Sequence, residues 1–109
     1  MSPRRADTPR LSVIWWRDIP TQVVAQHGRD TVRARLPDRF LQAVDRAAMR
    51  AGLTGSDGYL EQWDRRTRVC SADLQVEVDT EVASLDRQHP WAVLTDLVRA
   101  TPTARGVPR

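Results

Sequence analysis

Apolar residues recur along this chain in two rhythms, near period two in the first third and near the helical period of about 3.6 beyond it. Residues 11–16 form a compact apolar run with β-branched Val13 and Ile14, too short for a helix and followed by Pro20, so they read as a strand. Residues 21–26 and 30–36 flank His27-Gly28, a tight-turn signal in which Gly28 supplies a positive φ. In the second segment Val32, Ala34 and Leu36 alternate with Thr31, Arg33 and Arg35, a half-buried strand pattern, with a helix over 31–36 as the rival reading. A turn centred on His27-Gly28 sets Val23 opposite Val32 and Thr21 opposite Ala34.

Pro37-Asp38 opens the strongest helical pattern, predicted over 38–51. Proline suits a first turn, Asp38 complements the positive end of the helix dipole, and Phe40, Val44, Ala47, Ala48 and Ala51 share one face. Gly52 ends this helix, with Leu53 folding back onto Ala48. Ser56 is a candidate cap for a short helix over 56–66 with Tyr59, Leu60 and Trp63 inward, and residues 68–70 suggest a short strand. Leu74, Val78, Val82 and Leu85 predict a helix over 72–88. Pro90 opens another over 90–100, with Trp91, Leu94, Leu97 and Val98 inward. Strands precede helices, so the expected class is α+β: a small antiparallel sheet of about three strands, covered on one face by three to four helices. No segment repeats another.

Composition narrows the setting. At 109 residues, 40% apolar and 28% charged, the chain suits one domain, expected over 11–100. The Pro-, Thr- and Arg-rich ends, 1–10 and 101–109, are expected to be mobile tails. No apolar run approaches bilayer length, no apolar stretch backs the basic start, and the lone Cys70 cannot pair within the chain. A reducing, cytoplasmic setting is therefore expected. All 17 basic residues are arginine, and lysine and asparagine are absent, which we ascribe to the base composition of the gene. The formal charge is only +3, but it is unevenly spread: residues 1–40 carry eight arginines against four acids, and residues 71–100 carry two against six. The front half would attract an anionic partner, unless the two halves complement one another within the fold.

The chemical inventory is thin. No glycine-rich phosphate loop, no H-E-x-x-H and no C-x-x-C pair occurs, so no catalytic residue, metal site or cofactor is expected. His27 and His89 stand alone at a turn and beside a proline, and Cys70 lacks a base next to it in sequence. On a strand, Trp15 and Trp16 must point to opposite faces. One of them, exposed beside Arg17, would anchor a partner; otherwise a helix bearing Trp63 or Trp91 covers the second ring. Arg17 with Asp18, and Asp45 with Arg46, are candidates for an ion-pair network between strand end and helix. Arg29, Arg33 and Arg35 on the hairpin, with Trp16 as a neighbour, are the candidate nucleic-acid residues.

Three blocks carry a family resemblance: Trp16-Arg-Asp-Ile-Pro-Thr-Gln-Val23, Arg39-Phe-Leu-Gln-Ala-Val-Asp-Arg-Ala-Ala-Met49 and Asp57-Gly-Tyr-Leu-Glu-Gln-Trp63. Across residues 12–66 they resemble the bacterial virulence factor domain, which also occurs within larger conserved virulence factors. Thr21 and Gly58 depart from the alanines expected there, Gly58 weakening the start of its helix. The acidic helix and the Trp91 helix lie outside the resemblance. The family implies no established reaction and no catalytic residues. Its short members look like companions of folate- and corrinoid-linked one-carbon enzymes.

The leading expectation is thus a non-catalytic accessory or protein-interaction domain. Its expected surface is Trp16, Arg17, Asp18, Gln22, Arg39, Asp45 and Tyr59, engaging a protein partner. The alternatives are an arginine-driven binder of nucleic acid or another anionic ligand, and a small enzyme subunit built on Asp18, Asp45 and Tyr59. No membrane association is expected.

Overall fold

Alternating apolar residues with two tight turns fold the first third of the chain into an antiparallel meander. The computed structural model describes residues 8–53 and 57–102. Its elements are β1 (Arg10–Trp16), β2 (Ile19–His27), β3 (Asp30–Arg35), α1 (Asp38–Ala51), α2 (Asp57–Glu61), β4 (Trp63–Val69), α3 (Leu74–Gln88) and α4 (Trp91–Ala100). The sheet has four strands in the order β3-β2-β1-β4, every neighbouring pair antiparallel. The fold is α+β, with one strand more than the pattern of apolar residues announced.

Turn chemistry corrects the hairpin register. His27 pairs with Asp30 and Val23 with Ala34, so the two-residue loop is Gly28-Arg29 rather than His27-Gly28. Gly28 holds φ +62° at the first loop position, where the left-handed conformation is required, and His27 is spared it. The correction moves the pairing by two residues, so every side chain keeps its expected face. A bulge sits between Ile14/Gln22 and Trp15/Pro20 and leaves Thr21 unpaired in the ladder; this is where a proline is tolerated in an inner strand. The Thr21 hydroxyl donates to the Ile14 carbonyl at 3.0 Å and secures the bulge.

The helix expected over 56–66 is the main correction. Only Asp57–Glu61 is helical, Ser56 lies outside the described residues, and Trp63–Val69 is a strand paired along the whole of β1. Of that helix's expected inward residues, Leu60 is 64% exposed. Strand β4 is polar because it is a sheet edge, and its arginines discourage pairing with a further strand. Helix α1 spans the predicted residues and ends at Gly52 (φ 69°), with the Leu53 N–H donating to the Ala48 carbonyl at 2.9 Å. Asp73 caps α3 through the Val76 N–H. Trp91, expected inward, is 38% exposed with the Arg46 guanidinium 4.9 Å from its ring centre.

The core joins the two layers. Leu11, Val13, Val23 and Ala25 on one sheet face pack with Leu74, Val78 and Leu85 of α3, while Phe40, Ala43, Val44 and Ala47 of α1 meet Leu94 of α4. Helix α1 seals one end of the sheet. Its Phe40 ring touches His89, which touches Trp15, and its Leu41 lines a cavity with Ile14 and Gln22 on the opposite face. Order continues past the expected boundary at 100: the buried Thr101 donates its hydroxyl to Leu97, and its carbonyl accepts from Arg50 Nε at 2.8 Å. Residues 1–7 and 103–109, most of the two expected tails, lie outside the described residues. Among the described residues no helix is long and apolar enough to cross a membrane.

Candidate anion-binding face

Strand alternation gives the sheet a second face that α3 does not cover. The ladder registers set Arg33, Val24, Ser12 and Thr67 in one row across the four strands, and Arg35, Gln22, Ile14 and Arg65 in the next. A third row holds Thr31, Gln26, Arg10 and Val69. The 2.9 Å hydrogen bond between the Ser12 and Thr67 hydroxyls confirms that these side chains share a face. Four arginines stand there, all exposed, and no carboxylate occupies any position of the three rows. None of the four enters an ion pair among the described residues.

The other arginines of β4 are engaged. Arg66 lies over the Trp15 ring at 4.4 Å and pairs with Asp64, and Arg68 reaches Glu81 at 3.2 Å. Both sit on the α3 side, where their stems cover the apolar strip of β1. The positive side chains of one strand are thus sorted by parity: even positions neutralised, Arg65 without an ion-pair partner among the described residues.

At the α1 end this open face deepens into a cavity of about 350 Å³ lined by Ile14, Thr21, Gln22, Arg35, Leu41 and Trp63. Trp63 is half-buried, its ring edge-on to Tyr59 at 6.0 Å. The cavity therefore offers one aromatic wall, one amide and one guanidinium.

The expected surface residues scatter. Trp16, Arg17, Asp18 and Tyr59 do come together, but Trp16 is 0% exposed: its indole N–H donates to the Tyr59 carbonyl at 3.0 Å and the two rings lie 5.8 Å apart. The Trp16 ring is covered by Tyr59 of α2, and Leu97 and Ala100 of α4, the helix that bears Trp91, line the cavity beside it; Trp63 lies on a strand, not a helix. Arg17, in the β1–β2 turn at φ 53°, is held by Gln62, whose side-chain oxygen accepts from its Nε at 2.9 Å. Gln22 lies apart on the open face. Arg39 is a clip between α1 and the end of α3, donating to the Asp86 and His89 carbonyls at 3.0 Å and to the Asp86 carboxylate. Asp45 is exposed on α1. The expected network joining Arg17 and Asp18 to Asp45 and Arg46 does not form; Arg17 takes Gln62 and Arg46 takes Trp91.

The polar residues named for an enzyme subunit do not converge on one cavity. Asp18 lines a second cavity of about 240 Å³ beside Arg17 and Leu97, and neither Asp45 nor Tyr59 lines that cavity or the first. Burial, then the Glu77 carboxylate, pushes the Cys70 thiol up, against the pull of Arg68, so the thiolate nucleophile is suppressed. Among the described residues no group of three or more His, Cys, Asp or Glu is placed to hold a metal ion.

Sequence reasoning missed Arg10, Arg65 and Trp63 as members of one face. The signal was the alternation of Trp63, Arg65, Thr67 and Val69, a period-two set rich in strand-forming residues, obscured by the charges between them.

The fold is α+β, with one sheet face packed by α3 and an arginine-rimmed face opposite. The chain belongs to the virulence factor family, whose model matches residues 14–98. The match runs well beyond the three blocks legible by eye and takes in α3 and most of α4. No curated protein and no solved structure matches the chain significantly.

Proposed function

We propose that this virulence-factor-family domain is a non-catalytic binding module that holds an anionic partner against the open face of its sheet. The observation that carries the reading is the set Arg10, Arg33, Arg35 and Arg65, exposed and unpaired among the described residues on a face without a carboxylate. Arginine in such an array offers rigid forks to carboxylate or phosphate oxygens. A concentrated field of one sign also speeds the approach of an opposite charge. The accessory reading anchored on Trp16 loses that anchor to the core, whereas the arginine face is exposed.

The test is retention on immobilised heparin. Replacing Arg33 and Arg35 by Glu should lower the eluting salt concentration sharply. Replacing Arg87 and Arg99, exposed on α3 and α4, by Glu makes the same change in net charge and should lower it far less. Equal losses from the two pairs would show that net charge, and not this face, governs binding.

A further inference from the structure

We infer that the anionic partner is a single-stranded nucleic acid, its phosphates taken by the arginine rows and one base lodged against Trp63 in the adjoining cavity. The inference rests on the binding-face reading above and adds the chemistry of the ligand. Size argues first. Four strands and their alternate positions make a face about 14 Å wide and about 20 Å long, on standard strand spacings. It is ample for a few nucleotides.

The composition of the face points the same way. A protein-docking patch needs an apolar centre, but here the middle positions are Ser12, Gln22, Val24 and Ile14, with Val24 nearly inaccessible. Ser12 is buried as well and its hydroxyl is engaged by Thr67, so the accessible middle is Gln22 and Ile14, where the Gln22 amide suits a base edge. Arg33 and Arg35 stand about 7 Å apart along β3, and Arg65 about 14 Å away across the sheet, so phosphates can be met on both sides of a strand. Trp63 supplies the stacking surface and Arg35, in the same cavity, the neighbouring cation. A duplex keeps its bases stacked inside and cannot offer one to this cavity.

The experiment is a fluorescence-anisotropy titration with labelled oligothymidine of about ten nucleotides, starting near 50 mM salt. A duplex of equal length and polyglutamate serve as comparison probes. Four phosphate contacts predict a log–log salt slope of about −3, and Arg35→Gln should make it shallower by about 0.7. Trp63→Leu should weaken binding about tenfold with the slope unchanged, and Trp63→Phe should restore most of the loss. Recovery by phenylalanine separates stacking from damage to the fold, which circular dichroism monitors. Binding of the single strand in preference to the duplex, with this split between slope and affinity, supports the inference. Equal or better binding of the duplex, or indifference to Trp63→Leu, overturns it. If polyglutamate binds through Arg33 and Arg35 while oligothymidine does not, the nucleic-acid inference falls and the anionic-face reading stands. If no polyanion depends on those arginines, both fall.

Discussion

The two faces of the sheet are built from the same strands, residue by residue in alternation, and they have opposite fates. Leu11, Val13, Val23 and Ala25 point to α3 and are buried; Ser12, Ile14, Gln22 and Val24 point away, rimmed by arginines, with Ile14 and Gln22 part-exposed and Ser12 and Val24 buried beneath the rim. Arg66 and Arg68 on the α3 side find Trp15, Asp64, Glu81 and Glu77, whereas Arg65, one residue away, finds no ion-pair partner among the described residues. Burial fixes what the first face must be, since apolar surface there stabilises the fold by about 25 cal/mol per Å². Nothing in folding demands uncompensated like charge on the second. That contrast is the ground of the proposed binding role for the open face.

The sharpest break in the comparison is Trp16, which belongs by parity to the open face yet lies wholly inside. Trp16→Ala should cost about 3–5 kcal/mol of stability in denaturant unfolding. A small effect would mean that the α2 end of this face is loosely covered. Next comes a matched pair: Leu11→Ala on the covered face should cost about 2–5 kcal/mol, and half-exposed Ile14→Ala well under half of that. Arg39→Ala should cost about 1–3 kcal/mol, because it removes the charged donor that ties α1 to the carbonyls and carboxylate at the end of α3. Arg33→Gln and Arg35→Gln should each shift stability by no more than about 0.5 kcal/mol, marking them as residues the fold does not require.

The smallest effect is a pH response on the covered side. The Ser71 N–H and hydroxyl hold the Glu77 carboxyl below its ordinary range. A folded pKa below the unfolded one gives a contribution present above the unfolded value and lost as pH falls through the folded one. The protection factor of the Ser71 amide, its exchange rate relative to the unstructured rate at the same pH, should therefore fall as the solution is taken below the ordinary glutamate range of about 4.3, while the arginine face shows no such response.

The legible parts of the fold were those where apolar periodicity and end signals agree. Helix α1 carries Pro37-Asp38, an apolar face and Gly52, and all of these act locally. The β2–β3 hairpin was readable because one face of it is buried; its turn was misplaced by one residue since His-Gly and Gly-Arg are both plausible loop pairs until Gly28 claims the left-handed position. Strand β4 was hidden because its order comes from pairing with β1, a tertiary fact, while its side chains are those of an exposed edge. The same blindness hid the arginine face. Arg33 and Arg35 were visible as a polar alternation, but Arg10, Arg65 and Trp63 join them only through strand order β3-β2-β1-β4.

The most direct test of the open face is side-chain NMR of the arginine Nε–H groups during titration with a short heparin oligosaccharide. The account predicts that Arg10, Arg33, Arg35 and Arg65 shift together, while Arg17, Arg39, Arg66 and Arg68, already engaged within the fold, stay still. Shifts confined to the second group, or to Arg29, Arg87 and Arg99 away from the face, would contradict it.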